Sequence, residues 1–515
     1  MKAHFRQSMV WLHTWASVVS GWLLFFVFVT GTASCFLYDT TRWMEPERPL
    51  ELVSRHAPAA AQAEGALDFL ALHAPAAEKW EIKLPHARNH PDNGASRTRL
   101  VARAFPGGLR WELDPLTARE LLPLDVRATE GAGAFRSLHH QLHYMDKVVG
   151  IYIVGVVAML ALVSLATGVI AHKKIFKDFF TFRPGKGQRS WLDAHNVTGV
   201  MALPFFVMIL WTGLVYFNYH YLPVPSKTMN ATVNGRPLPQ FDAAAVPVVR
   251  PRARLAPMIE QAEAVLGAGQ IGQIWVERRA GEPPVVDISR PWGTELPRTK
   301  NPQTFIRFNA LTGERLPSPY SEGPGRTMLL ALVALHEAWY ANDPLRWLYF
   351  LSGLLGCFMI ATGMVLWVVK RRERHAREGS AASGGLRFVA RLNVGVLAGL
   401  PTGVAACFWA NRLLPVTMPG RADWELHCLF AAWGWLALYA IARPERRAWV
   451  ELLALAALAF GLLPLLNALT TDRHLGVTLP AGDGGLAGVD LTMLALAAMF
   501  AAMALRLQRR WQGAA

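Results

Sequence analysis

Long apolar stretches separated by polar segments dominate the pattern of this chain. Eight of them come close to the roughly 20 apolar residues that a helix needs to cross a bilayer. They cover residues 10–37, 148–171, 197–219, 347–369, 392–410, 426–442, 449–468 and 488–505. The first stretch is too long for a typical signal peptide, so it is interpreted as a span. The pattern therefore predicts a membrane all-α helical bundle of about eight spans.

The composition agrees with a membrane location and excludes several kinds of site. Of 515 residues, 52% are hydrophobic and 17% charged, which is too apolar for an ordinary soluble protein. The four cysteines form neither CxxC nor CxxCH, which argues against a disulfide framework, a zinc knuckle and covalently attached haem. The chain contains no GxxxxGK[ST] loop and no convincing dinucleotide fingerprint, so it is not expected to bind ATP or NAD(P)H itself. The HExxH motif of zinc proteases is absent as well.

The formal net charge of +15 does not indicate nucleic-acid binding, because the basic residues cluster beside apolar stretches. The clusters are Lys2 and Arg6, then 173–189, 370–391, 443–447 and 506–510. The two short opposite loops carry only Arg412, Arg421 and Arg473. The positive-inside rule therefore predicts that both termini are cytoplasmic and that residues 38–147 and 220–346 lie outside.

These two outer segments contain a repeated pattern. Residues 111–123 (WELDPLTARELLP) match residues 306–317 (IRFNALTGERLP) as a strand, a tight turn built on Asp or Asn, and a second strand. A predicted helix at 256–266 precedes predicted strands at 273–278 and 285–290. The sequence thus predicts two outer α+β domains, one in each segment.

The first four predicted spans repeat as well. His13 is followed by Thr30-Gly31 after the same interval that separates His195 from Thr212-Gly213. Thr167-Gly168 and Thr362-Gly363 lie near the cytoplasmic ends of the second and fourth spans. Glycine lets another helix or a flat ligand approach the backbone closely. The Thr-Gly pairs therefore have two interpretations, helix packing and ligand binding, and the pairs alone favour helix packing. The core is predicted to be two copies of helix, outer domain, helix.

Histidines lie at both ends of the predicted spans. His13, His172 and His195 lie on the inner side, and His140, His143, His220 and His336 lie on the outer side, with His139 just before His140. Ionisable groups at membrane depth usually mark a functional path, and neutral imidazole is a good axial ligand for haem iron. Two layers predict two haems and an electron path across the membrane. A zinc site made from His140, His143 and His336 is an open alternative, and His220, among tyrosines, is interpreted as an interfacial residue.

Several motifs resemble those of the PepSY-associated transmembrane family. They are FRSLHHQLH at 135–143, the run from Gly168 through His172 to Pro184, SWLDAHN at 190–196, and Leu335-His336-Glu337. The resemblance covers about residues 1–375. It implies a bacterial inner-membrane protein linked to iron uptake, similar in some members to di-haem ferric-siderophore reductases. It also implies two haem b groups and release of iron as Fe(II).

The resemblance implies haem ligands among two sets of histidines. The inner set is His13, His172 and His195, and the outer set is His140, His143 and His336. The internal repeat favours His13 with His195, with His172 as the competitor. In the outer set His336 is the firmer ligand, and the choice between His140 and His143 stays open.

The expected function is therefore an enzyme, a membrane-bound ferric-siderophore reductase. Its expected partners are a ferric siderophore, membrane lipid, and an electron donor that is either quinol or a cytoplasmic reductase docking on the basic loop 173–189. The alternative is an iron or siderophore transporter, or an accessory interaction protein. The predicted segments are 1–37, 38–147, 148–219, 220–346, 347–375, a linker at 376–391, and a four-span extension at 392–515.

Overall fold

The computed structural model describes residues 3–50, 57–86, 96–122, 125–172, 176, 181–222, 246–296, 305–317 and 323–512. The chain forms two compact units. The helical unit comprises Met1–Leu50, Val126–Tyr221 and Asp343–Ala515, and the sheet unit comprises Glu51–Asp125 and Leu222–Asn342. Of the basic residues expected in the loop 173–189, Lys173, Lys174 and Lys177 lie outside the described residues.

Helices account for most of the described chain. In order they are α1 (Ala3–Ala33), α2 (Leu37–Met44), α3 (Ala59–His73), α4 (Gly133–Gln141), α5 (Lys147–Ala171), α6 (Gln188–Met201), α7 (Leu203–Tyr216), α8 (Asn218–Tyr221), α9 (Leu255–Leu266), α10 (Pro324–Glu337), α11 (Asp343–Arg377), α12 (Gly384–Leu397), α13 (Gly399–Leu413), α14 (Arg421–Ala442), α15 (Glu445–Gly461), α16 (Leu463–Thr470), α17 (Leu475–Thr478) and α18 (Gly484–Gln512).

Within the described residues, seven helical segments are long and apolar enough to cross a membrane. The pair α6 and α7 would make an eighth span, but it is bent by 66°. The bend falls just before Pro204, near the start of α7, because proline lacks an N–H group and restricts the residue before it. The stretch predicted as one span at 197–219 is therefore divided between two helices that meet at a bend.

The helical unit is built around the first span. Helix α1 packs along α5 and α11, and α6 packs against α11. The helices of the C-terminal extension, α12 to α18, pack mainly on one another, and α1 also contacts α12. Buried residues from all these parts join one apolar core, which includes Phe26, Phe206, Ile360 and Leu429. This arrangement places long stretches of α1 beside both α5 and α11.

The sheet unit contains one sheet. Its strands are β1 (Lys79–Lys83), β2 (Leu100–Phe105), β3 (Leu109–Leu113), β4 (Gln273–Glu277), β5 (Val285–Ser289), β6 (Phe305–Asn309) and β7 (Arg315–Leu316). The order across the sheet is β3-β2-β1-β4-β5-β6-β7. Neighbouring strands are antiparallel, and Glu81 pairs with Trp275 where β1 meets β4.

This single sheet differs from the two separate α+β domains that the sequence predicts. Pairing β1 with β4 covers an edge strand of each half, and exposed edges are otherwise open to aggregation. Helices α3 and α9 pack on the sheet, with Leu67, Ile82, Ile259 and Ile274 in a common apolar core. Helices α2 and α4, although predicted inside the first outer domain, belong to the helical unit.

The turn of the predicted repeat is present in both outer segments. Its second strand is formed as β7 after Asn309, whereas after Asp114 the described residues form a single bridge between Leu113 and Glu120. Asp114 Oδ1 accepts hydrogen bonds from the backbone N–H groups of Leu116 and Thr117 at 2.9 and 2.8 Å. Asn309 Oδ1 accepts the equivalent bonds from Leu311 and Thr312 at 2.8 and 3.3 Å. The predicted helix and strands are also found, at α9, β4 and β5, within one residue at each end. The two halves of the sheet thus end in the same turn.

Candidate functional site

The paired-histidine site consists of His13 on α1 and His195 on α6, with Gly168 and Gly363 beside them. The two imidazole rings have centroids 6.3 Å apart and planes inclined by 64°. Nδ1 of His13 lies 2.7 Å from the carbonyl oxygen of Ser164, and Nδ1 of His195 lies 2.8 Å from that of Met359. Because a carbonyl can only accept, each Nδ1 carries the proton, and Nε2 of the neutral ring keeps its lone pair.

A glycine beside each ring makes the close approach possible. A Cβ atom added to Gly168 would lie 3.1 Å from Cε1 of His13, and one added to Gly363 would lie 3.0 Å from Cε1 of His195. Both distances are shorter than ordinary van der Waals contact. The Thr-Gly pairs at these positions therefore provide room for a histidine ring.

His172, the competitor for the inner pair, is the first residue after α5. Its backbone N–H donates to the carbonyl oxygen of Gly168 at 3.1 Å. Burial, together with the neighbouring His13 and Lys370, lowers the pKa of His172. The structure thus puts His172 close to the paired-histidine site, while the direct ring pair is His13 with His195.

The His139 site lies towards the other end of α1, where His139 contacts Val27 and Gly31. Nδ1 of His139 lies 2.8 Å from the carbonyl oxygen of Val27. A Cβ atom on Gly31 would lie 2.7 Å from Cε1 of His139. Burial lowers the pKa of His139, which favours the neutral ring. This is the same arrangement as in the paired-histidine site.

The three contacts obey one rule along the chain. The carbonyl that receives Nδ1–H belongs to the residue one helical turn before the glycine that faces the ring. Val27 precedes Gly31 as Ser164 precedes Gly168 and as Met359 precedes Gly363. Residues four apart share one face of a helix, so carbonyl and glycine together form a slot for an imidazole. Sequence reasoning missed His139, because only the direction of α4 distinguishes it from its neighbours.

His140 and His143, the outer candidates from the sequence, have other contacts. Nδ1 of His140 lies 2.7 Å from the carbonyl of Arg136 in its own helix, and its Nε2 lies 2.9 Å from the Gln141 side-chain amide. Burial lowers the pKa of His140 to about 4. The ring of His143 stacks on Phe430, with centroids 5.5 Å apart and planes 6° from parallel. Neither histidine therefore takes the place of His139 beside Gly31.

Two further histidines from the sequence analysis, His336 and His220, lie outside the segment that contains His139, His140 and His143. His336 lies in the last turn of α10 and is half-buried. His220, interpreted as interfacial, is in the short helix α8, where its ring lies 4.3 Å from that of Tyr219. Among the residues that the structure describes, no three His, Cys, Asp or Glu side chains are arranged to hold a metal ion.

Comparison with known proteins gives a match for the helical core and the sheet unit. The family described as PepSY-associated TM region matches residues 10–370. Uncharacterized protein PA4219 of Pseudomonas aeruginosa is 25% identical over 366 residues, which cover 66% of this chain and 86% of that protein. The family match includes His13, His139 and His195 and ends before α12. The chain belongs to the PepSY-associated TM region family.

Proposed function

We propose that this chain is a multi-pass inner-membrane protein that binds two haem b groups and passes single electrons to a ferric siderophore outside the cytoplasm. The observation that carries the proposal is the pair formed by His13 and His195. Two histidines from different helices can clamp one macrocycle, and here each ring keeps Nε2 available.

The geometry of the pair supports a shared iron. Two imidazoles that bind one metal ion at about 2 Å have ring centroids on the order of 6 Å apart, and the observed separation is 6.3 Å. The backbone carbonyls of Ser164 and Met359 fix the orientation of the rings, a supporting role that usually increases the basicity of a ligand. The donor set thus fits haem b held by His13 and His195.

The His139 site supports a second haem. His139 has the same carbonyl partner and the same glycine neighbour as the two paired histidines. It is therefore the ligand that the helical unit supplies in this proposal, ahead of His140 and His143. His336 keeps its place as an outer ligand by family resemblance alone.

The two sites are separated along α1 by most of a membrane thickness. From His13 to Gly31 the helix rises by about 27 Å, and the hydrocarbon core of a bilayer is about 30 Å thick. Bound haem supplies reversible one-electron transfer at iron. The protein's role in this electron transfer is to hold the two sites at opposite ends of one helix.

The acceptor follows from the chemistry of iron release. Hard oxygen ligands hold Fe(III) more firmly than the softer Fe(II), so a single electron loosens a ferric siderophore and frees Fe(II). The electron must come from quinol or from a cytoplasmic reductase. The proposal therefore needs a donor on one side and a chelate on the other.

The test is a single-turnover reaction without oxygen. Purified protein with bound haem is reduced chemically, freed of reductant and mixed with a ferric siderophore in the presence of a ferrous chelator. We expect the haem to reoxidise while the coloured Fe(II) complex forms, with one Fe(II) trapped for each haem oxidised. If the haem stays reduced with every ferric chelate but reoxidises with quinone, the protein is a quinone-linked electron carrier and not a siderophore reductase. Purified protein without stoichiometric haem would overturn the electron-transfer function itself.

A further inference from the structure

We propose that the C-terminal extension, α12 to α18, positions His139 in its slot on α1. The family match ends at residue 370, so the role of these helices does not follow from it. Most of the buried polar contacts that join the extension to the core lie on the two chain segments next to the His139 site. A further one joins Asn393 of α12 to Trp22 and to the Met364 carbonyl. Only the haem measurements below rest on the proposed function.

The first contact is a polar cluster made of the buried residues Arg421, Glu425 and Asn411 and the half-buried Thr129. The Thr129 hydroxyl donates to Glu425 Oε2 at 2.5 Å, and the Asn411 amide donates to Glu425 Oε1 at 2.8 Å. Arg421 forms an ion pair with Glu425 at 2.5 Å and donates to the Ala128 carbonyl at 2.9 Å. Arg421 is 0% exposed and Glu425 is 2% exposed, so the extension brings a paired charge into the interior to hold residues 128 and 129.

The held segment leads directly into α4. Thr129 Oγ1 accepts a bond from the Gly131 N–H at 3.0 Å, and the Ala132 N–H donates to Thr41 Oγ1 at 3.1 Å. Among the described residues, no side chain caps the start of α4 at Ala132, so these bonds fix where the helix begins. His139 follows within two turns. A shift of Thr129 would therefore move the ring of His139 relative to Gly31.

The extension also holds the other wall of the slot. Beyond Gly31 the chain continues into α2, whose Arg42 forms an ion pair with Asp483 at 2.6 Å. Trp43 donates to Asp490 at 2.8 Å, and the guanidinium of Arg412 lies 3.7 Å from the centre of the Trp43 ring. Both the segment after Gly31 and the segment before His139 are thus tied to the extension by buried charges.

Buried charges of this kind fix the geometry of the chain more than they stabilise the fold. Burying charged groups costs free energy unless every partner is in place, and well-packed apolar side chains would stabilise the bundle at least as well. Polar contacts fix geometry because hydrogen bonds require defined directions. We therefore assign Arg421, Glu425 and Thr129 as positioning residues for His139.

The test uses Thr129→Val, which removes the hydroxyl with little change in shape, and Thr129→Ser, which keeps it. The matched control is Arg443→Gln, which breaks an ion pair with Glu451 at the other end of α14. We expect Thr129→Val to increase amide hydrogen exchange in residues 126–141 by about ten-fold. Exchange in α6 should not change, and Thr129→Ser and Arg443→Gln should behave like the wild type. Glu425→Gln should have the same effect where it folds.

The haem measurement separates positioning from stability. In protein loaded with haem, Thr129→Val should shift the midpoint potential and the low-spin spectrum of one haem and leave the other unchanged. Equal changes in both haems, or unchanged exchange in residues 126–141, would overturn the inference. If the wild type binds no haem, the proposed function fails, while hydrogen exchange still decides whether the extension positions His139.

Discussion

The imidazole rings of His13 and His195 lie 6.3 Å apart, centroid to centroid, although they begin the two copies of the internal repeat. Each ring is oriented by a backbone carbonyl on a different helix from its own. The repeat thus brings two equivalent histidines to one place. Separate predictions follow for the two histidines and for the glycines beside them.

Replacing either histidine of the pair should remove one haem and spare the other. We expect His13→Ala and His195→Ala to bind one haem per chain, measured by pyridine haemochrome absorbance against protein concentration, because a bis-imidazole site loses its hold with one ligand. His172→Ala should retain two. His375→Ala, in the last turn of α11, is the control. Two haems in both His13→Ala and His195→Ala would show that the ligand assignment is wrong.

The glycines of the paired-histidine site should be as sensitive as its histidines. Gly168→Ala and Gly363→Ala place a methyl group about 3 Å from an imidazole ring, so the ring must move and the haem content should fall. Gly434→Ala is the matched control, because a Cβ atom there meets nothing within 4 Å and alanine favours a helix. Retention of both haems in Gly168→Ala and Gly363→Ala would mean that the slot does not position a ligand.

The sequence predicted the membrane spans and the repeat because both depend on local pattern. Length and apolarity identify a span, and the Asp114 and Asn309 turns follow from side chains that bond their own backbone. The single sheet could not be predicted in this way, because it depends on pairing between β1 and β4, which are far apart in sequence. The alternation of apolar and polar residues predicts where strands form, but it does not predict which distant strands pair with one another.

The same limit explains why the sequence alone could not single out His139. His139, His140 and His143 are close in sequence, and only the packing of α4 against α1 decides which ring meets Gly31. The positive-inside rule treats Arg412 and Arg421 as basic residues of outer loops, yet both are buried in the structure. Arg421 pairs with Glu425 in its own helix, but it also donates to the Ala128 carbonyl. Arg412 donates to the Trp43 carbonyl and to Asn467, and no local pattern predicts these distant partners.

The outer ligand should be His139. We expect His139→Ala to lose the haem that His13→Ala retains, and His140→Ala to keep both, because both nitrogens of His140 already have partners. Difference spectra of the reduced proteins, with haem content per chain, check this. Loss of haem in His140→Ala or His143→Ala together with retention in His139→Ala would restore the choice that the sequence alone favours.

The repeated turn should contribute equally in the two halves of the sheet. Asp114→Ala and Asn309→Ala each remove a side-chain oxygen that accepts two backbone hydrogen bonds. We expect each to lower the free energy of unfolding by about 1 kcal/mol. Asp114→Asn and Asn309→Asp, which keep the acceptor, should cost much less. Limited proteolysis in urea measures the effect, and a loss confined to one half would show that the two turns are not equivalent.

The orientation of the chain should follow its basic loops. Reporter fusions after Arg189 and after Arg372 should be active only with a cytoplasmic reporter, because these points follow basic clusters that resist translocation. Fusions within 60–130 and 230–320 should be active only with a reporter that folds outside the cytoplasm. A variant in which Arg371 and Arg372 are replaced by glutamine is the control for fusion artefacts and should weaken the bias at that loop alone. Outer activity after Arg189 would reverse the predicted direction of the bent pair α6 and α7, and with it the prediction that His195 lies on the cytoplasmic side.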